Sequence, residues 1–263
     1  MAFTGFNIEF PTYEVITPHT KKSYKVRGMT VQEEEKLKGS LNTPMKITEH
    51  LNKSIYKLLI DKPEEIKNYE DFLKNNTLRD RDALLFGIYH TTYEEIRNYE
   101  IGCIKCDHKF PVTINASDTI EVKPYPGKDI LKSTKLVKMK AAKGVSAIIK
   151  QPTLFDESQS INRLASRPGI NMDIITEILI IDKFIQEVPD SKKNIEYIDR
   201  TEIIDAYLSL PARDKRIIYE HYKKEYGDYG IELKMKTFCP KCGNEDESNI
   251  DLVENFFRSI YSA

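Results

Sequence analysis

Four cysteines are the residues of this chain whose types and spacing point most directly to chemistry. Cys103 and Cys106 lie two residues apart in "YEIGCIKCDHKFPV", and Cys239 and Cys242 repeat the spacing in "KTFCPKCGNEDE". One C-x-x-C supplies two thiolates from a single turn, and a structural zinc wants four ligands in a tetrahedron. Each pair, flanked by strand-like residues, reads as a zinc knuckle. The spacing therefore predicts one four-thiolate Zn2+ site made by Cys103, Cys106, Cys239 and Cys242. Closed by four thiolates, such a site has no open coordination position, so its role is structural. The bland alternative is that one pair is vestigial or the thiols are free. His108 could also stand in for a thiol. A thioredoxin-type redox role fits less well, because that motif belongs beside a βαβ pattern not found here. Pro240 and Gly243 suit the second turn, since proline fixes φ and glycine allows positive φ. In the first turn Ile104 and Asp107 occupy those places.

Other chemistry is thinly represented. The sequence has no nucleophile elbow, Walker A loop, glycine-rich dinucleotide loop or H-E-x-x-H, and His19, His50, His90 and His221 stand alone. No catalytic residue and no enzyme activity are expected. The acidic residues of "RDRD" (Arg79 to Asp82) and "ARD" (Ala212 to Asp214) could form a carboxylate cluster. They sit at predicted helix starts, where capping and the helix dipole explain them better.

The elements that must position the cysteines read as a duplication. "YKVRGMTVQEEEKL" (from Tyr24) can be laid on "AIIKQPTLFDESQSI" (from Ala147), with Thr30 opposite Thr153. "ITEHLNKSIYKLLID" and "ITEILIIDKFIQEV" follow, both apolar at helical spacing. Next, "LRDRDALLFGIYHTTYEEI" matches "LPARDKRIIYEHYKKEYG", and a knuckle closes each copy. Chance likeness of amphipathic segments is the rival explanation. Thr30 with Glu33 forms a capping box, and Asp156 is expected to cap the counterpart helix. The expected fold is α+β: two related, mostly helical repeats with short strands, joined by a zinc-ribbon-like pair of knuckles. Its parts are an apolar N-terminal arm (1–20), a first repeat (21–120), a basic linker or extended arm (121–146), and a second repeat with a C-terminal helix (147–263).

Composition sets the outer limits. The 263 residues are 40% hydrophobic and 31% charged, with 40 basic against 41 acidic side chains and a net charge of −1. A near-neutral balance gives no global pull toward nucleic acid or anionic membrane. No apolar run approaches the roughly 20 residues of a membrane span, and the first residues do not form a signal peptide. A reducing compartment follows, where paired cysteines favour metal over disulfide. Eight lysines between Lys123 and Lys150 could touch phosphates, which keeps a zinc-ribbon nucleic-acid-binding regulator as the alternative function. That stretch has no arginine for bidentate base reading and few aromatics for stacking, so a lysine-protected edge strand is the simpler account.

The run "VRGMTVQEEEKL", "IYKLLID", "LRDRDALLFGIYHTTYEEI" and then a C-x-x-C resembles the T4-like baseplate hub proteins of contractile-tailed bacteriophages. The second copy, with "CPKCG", keeps the knuckle best; the first departs at Ile104 and Asp107. The resemblance implies a structural or assembly role in the central hub of a tail baseplate, without catalysis. It implies other hub or wedge proteins as partners, and no small-molecule substrate. The place would be the virion tail baseplate, or the host cytoplasm during tail assembly. Candidate partner surfaces are the aromatic N-terminal segment and the terminal helix "IDLVENFFRSIYSA", whose Leu252, Val253, Phe256, Phe257 and Ile260 form an apolar stripe of a kind more often core than interface.

Overall fold

The structure, a computed structural model, describes residues 9–40, 44–93, 96–115, 120–164, 167–189, 193–227 and 229–250. Of the terminal helix expected at Ile250 to Ala263, Ile250 is the last residue of a strand, and the rest, like the aromatics before Glu9, lies outside the described residues. Apolar residues on one face of short strands, and stripes along helices, build an α+β protein with two successive sets of elements. The first set opens with the hairpin of β1 (Thr12–Ile16) and β2 (Ser23–Arg27), in which Val15 faces Tyr24 across the ladder. Helices α1 (Val31–Ser40) and α2 (Pro44–Leu58) follow, then β3 (Leu59–Asp61), which pairs with β2. Helices α3 (Tyr69–Asn75) and α4 (Leu78–Tyr93) lead to the hairpin of β4 (Ile96–Gly102) and β5 (Lys109–Asn115) and to β6 (Ile120–Lys123).

The second set follows a similar order, with two strands instead of one between its helix pairs and two instead of three at its close. Strands β7 (Thr134–Lys138) and β8 (Val145–Lys150) precede α5 (Leu154–Leu164) and α6 (Met172–Leu179). Then come β9 (Ile181–Glu187), β10 (Asn194–Tyr197), α7 (Arg200–Leu208) and α8 (Ala212–Tyr226). Strands β11 (Gly230–Phe238) and β12 (Glu245–Ile250) close the series. The sheets run β1-β2-β3, β10-β9-β8-β7, β12-β11-β6 and β4-β5. The lysine-rich stretch thus contributes β7, an edge strand whose Lys135 and Lys138 are exposed while Val137 is buried. An edge lined with lysine resists pairing with another chain.

Two apolar runs that read as continuous helix divide in the structure. Ile47 to Asp61 is helix only to Leu58, and Ile175 to Val188 is helix only to Leu179. In both, the residues after the break join a sheet, and in the second the β-branched Ile180 and Ile181 mark the change. Fully buried apolar runs do not distinguish helix from strand by periodicity; pairing with β2 and β8 decides here.

The helix starts are local chemistry. Thr30 and Glu33 exchange hydrogen bonds, with the Glu33 N–H donating to Thr30 Oγ1 at 3.2 Å and the Thr30 N–H donating to Glu33 Oε2 at 2.9 Å. Thr153 does the same with Asp156 at 3.1 and 2.9 Å, so the threonine is the cap and Asp156 its reciprocating partner. Thr77 and Asp80 form a third such box.

Each set has its own core, but the boundary is interlocked. Leu154 of α5 and Leu233 of β11 are buried in the first core with Leu84, Leu85 and Ile88 of α4. Arg81 of α4 reaches Glu157 of α5 at 2.6 Å in a nearly buried ion pair. Strand β6 pairs with β11 from Gly230 to Leu233. Gly87 lets α4 lie flat on the first sheet: a Cβ there would fall 2.6 Å from Val15 Cγ2 and 3.0 Å from Val26 Cγ2.

Candidate metal centre

The first pair of cysteines sits at the tip of the β4–β5 hairpin and the second at the tip of β11–β12. The two tips are built alike. The Cys103 N–H donates to the His108 carbonyl and the Asp107 N–H to the Cys103 carbonyl, both at 2.9 Å. The Cys239 N–H donates to the Asn244 carbonyl and the Gly243 N–H to the Cys239 carbonyl, also at 2.9 Å. The residue after each second cysteine takes positive φ: 53° at Asp107 and 70° at Gly243. Glycine enters that region freely, and aspartate is among the few other residues that tolerate it. The departure at position 107 therefore leaves the turn intact.

The tips face each other, and their sulfurs interleave. Cys103 Sγ lies 3.6 Å from Cys242 Sγ, and Cys106 Sγ lies 3.7 Å from Cys239 Sγ. All four sulfurs fall within 4.8 Å of one another. A disulfide needs about 2.05 Å, so these are not bridges. A tetrahedron of thiolates about 2.3 Å from a central ion has sulfur–sulfur edges of about 3.8 Å. The spacing fits that figure, and the four side chains could hold a metal ion. The all-sulfur donor set suits zinc or iron and not hard cations such as magnesium or calcium. Cys103 and Cys239 are buried with Phe110, and Ile101 and Val112 pack beside them. His108 stacks on Phe110 and contributes no atom to the cluster.

The thiols perturb one another. Burial alone would push the Cys239 thiol up, but the N–H groups of Cys242 and Lys241 outweigh it and bring it down to about 7. The Asn244 N–H favours the Cys242 thiolate, yet burial and hydrogen bonds with the other three sulfurs outweigh it and push Cys242 up to about 12. Negative charge thus settles readily on one sulfur and resists settling on its neighbour. A cation among them would remove that conflict.

The acidic residues of "RDRD" and "ARD" do more than cap. Asp80 and Asp214 each occupy the third position of their helix, α4 and α8, and both are wholly buried. Asp80 Oδ1 accepts from the His19 and Thr20 N–H groups at 2.9 and 3.3 Å, in the β1–β2 turn. Asp214 accepts from the N–H groups of Lys140, Ala141 and Ala142, the shortest at 2.7 Å, in the β7–β8 turn. Each carboxylate ties its helix to the hairpin of its own set, a role that local spacing does not reveal. Beside Asp80, the buried His19 bridges the Tyr229 carbonyl through Nε2 at 3.0 Å and Thr77 Oγ1 through Nδ1 at 3.0 Å. Burial, against the pull of Asp80, lowers its pKa. His50 and His221 are exposed.

Within the lysine-rich stretch, Lys123 pairs with Glu232 at 3.2 Å, Lys132 with Asp129 at 2.9 Å and Lys150 with Asp156 at 3.1 Å. Those ammonium groups are engaged inside the chain. No helix among the described residues is long and apolar enough to cross a membrane.

The two successive sets of elements thus meet at the hairpin tips, where the four sulfurs converge. The chain belongs to the family of T4 bacteriophage base plate proteins, whose family model matches residues 10–258. Neither the curated proteins nor the solved structures compared with it give a match.

Proposed function

We propose that this chain is a non-catalytic structural or assembly component of the central hub region of a contractile phage tail baseplate. In this reading Cys103, Cys106, Cys239 and Cys242 hold one zinc ion. The ion clamps two related repeats, 21–120 and 147–263, into a stiff adaptor for other hub or wedge proteins. The carrying observation is that sulfurs 139 residues apart in sequence, Cys103 and Cys242, lie 3.6 Å from each other in a site that offers only thiols. Family membership supplies the baseplate setting. The order of elements in the two sets, the repeated threonine caps and the matched Asp80 and Asp214 support descent from one duplicated unit. Ile104, 76% exposed, and Phe238, 61% exposed, flank the knuckles and offer apolar contacts for a partner.

Binding of a structural zinc can contribute on the order of ten kcal/mol, comparable with the whole stability of a domain. Elemental analysis of the purified chain should find one zinc per molecule, and the double variant Cys239→Ser/Cys242→Ser should lose it. Full retention of metal by that variant, or a metal-free native protein prepared without chelator, ends the clamp. Mass spectrometry of purified particles and tail intermediates tests the setting separately: a chain found in neither does not belong to the baseplate.

A further inference from the structure

We propose that Cys103 with Cys242, and Cys106 with Cys239, are two oxidative cross-link sites, closed by a peroxide, that keep the hairpin tips joined covalently once the cation has gone. The inference rests on the clamp of the proposed function and adds what becomes of it under oxidation. Each sulfur has a close neighbour on the opposite tip. Cys103 Sγ is 3.6 Å from Cys242 Sγ, and Cys106 Sγ is 3.7 Å from Cys239 Sγ. The two pairs share no atom, so both can close together. A disulfide needs about 2.05 Å. From 3.6 Å each sulfur must move about 0.8 Å, half of 3.6 − 2.05, which a modest rotation about its Cα–Cβ bond supplies.

Burial gives the two members of each pair different roles. Cys242 is exposed and Cys106 half-buried, whereas Cys103 and Cys239 are buried. The reachable thiolate attacks one peroxide oxygen, the O–O bond breaks, and hydroxide leaves a sulfenic acid behind. The buried partner thiolate then attacks that sulfur, the S–O bond breaks, and a second hydroxide departs. Two thiolates lose two electrons and one peroxide gains them. Four thiolates therefore consume two peroxides, and sulfurs bonded to each other offer no thiolate to a cation. Joining Cys103 to Cys239 instead would leave one bridge without a reachable sulfur. Pairing across the tips also sets the consequence. Bridges inside a knuckle would close loops of only 106 − 103 = 242 − 239 = 3 positions and tie nothing else together. The cross pairs are 139 and 133 residues apart, and a bridge constrains the unfolded chain more as its loop lengthens.

The test uses the full chain, its metal content measured first, and then hydrogen peroxide. Trypsin cuts after Lys105 and Lys241, so each cysteine falls in its own peptide and mass spectrometry reads the pairing directly. Blocked with N-ethylmaleimide and digested without reductant, the oxidised chain should yield 98–105 joined to 242–258 and 106–109 joined to 237–241. One zinc should be released for every two peroxides consumed. Bridges inside a knuckle, a Cys103–Cys239 bridge, sulfinic acids alone or unreacted thiols would each overturn the proposal and leave the clamp standing. A chain without metal before oxidation would overturn the clamp and this inference with it. Independently, amide hydrogen exchange at the two tips should be at least about tenfold slower in the oxidised chain than in reduced chain stripped by chelator. Equal exchange in the two would also overturn it.

Discussion

Replacing Asp214 by alanine should remove the tie between α8 and the β7–β8 turn. The carboxylate is fully buried and takes N–H bonds from Lys140 at 2.9 Å, Ala141 at 3.0 Å and Ala142 at 2.7 Å. Hydrogen bonds to a charged group contribute roughly 1.5–3 kcal/mol each, which for three gives at least about 4.5. Lys140 and Ala141 lie at the surface, so water can reclaim their donors once the carboxylate is gone. Discounting those two by half leaves about 3 kcal/mol, to which the lost charge at the helix start adds about 0.5. Urea unfolding at pH 7, followed by tyrosine fluorescence because the chain has no tryptophan, should show a loss of about 3.5 kcal/mol. Acid provides a second check. Burial would raise the Asp214 pKa, but the N–H groups of Ala141, Ala142 and Lys140 outweigh it and hold the carboxyl below the ordinary aspartate range. Its stabilisation is therefore present above the unfolded value of about 3.9 and lost as pH falls through the folded value. The gap between native and variant should close below about pH 4. A loss under about 1 kcal/mol at pH 7, or a gap that stays constant into acid, would refute the tie.

Three further outcomes follow from the packing. Arg81→Ala strands Glu157 in a buried site and should cost about 3–5 kcal/mol in urea unfolding, while Arg81→Met/Glu157→Leu recovers most of it. Gly87→Ala forces a methyl within 2.6 Å of Val15 and 3.0 Å of Val26 and should lower stability by about 1–3 kcal/mol in the same assay. Hydrogen bonds from Arg27, against partial burial and with help from Thr30, hold Glu33 down to about 2. Carboxyl-carbon NMR titration of Arg27→Gln should find Glu33 raised toward the free value of about 4.3 but short of it, because the Thr30 hydrogen bonds remain. Because the native pKa is the depressed one, the stabilisation Arg27 gives exists above the unfolded value and disappears as pH falls to about 2.

Local chemistry was the part of this protein most open to reading from sequence. The two C-x-x-C turns, the Thr30–Glu33 box and the edge lysines of β7 each depend on residues a few positions apart. Sequence placed the four cysteines as one candidate site, and the structure brings their sulfurs together. Long-range choices were not legible. Nothing within Ile175 to Val188 says that helix must yield to strand after Leu179, because β8, which decides it, lies some thirty residues upstream. Asp156 looked like a cap because it is acidic and near a helix start, whereas Thr153 does the capping. The turn-binding role of Asp80 and Asp214 was hidden because their partners lie 60 to 74 residues away. The helix α3 carries a complete capping box from Asn68 and Asp71, a signal that could have been found.

Leu233, with Ile231 packed beside it, completes a core that begins at Val15. A ribosome must therefore make the chain past residue 233 before the first core can close. Until then α4 keeps an unsheltered flank, and His19 in the early hairpin turn lacks the Tyr229 carbonyl that its Nε2 contacts. Growing chains are thus expected to stay loose and exposed to proteases until late in synthesis, then to set as one unit. Interrupted products would be cleared and would not compete for places in an assembly.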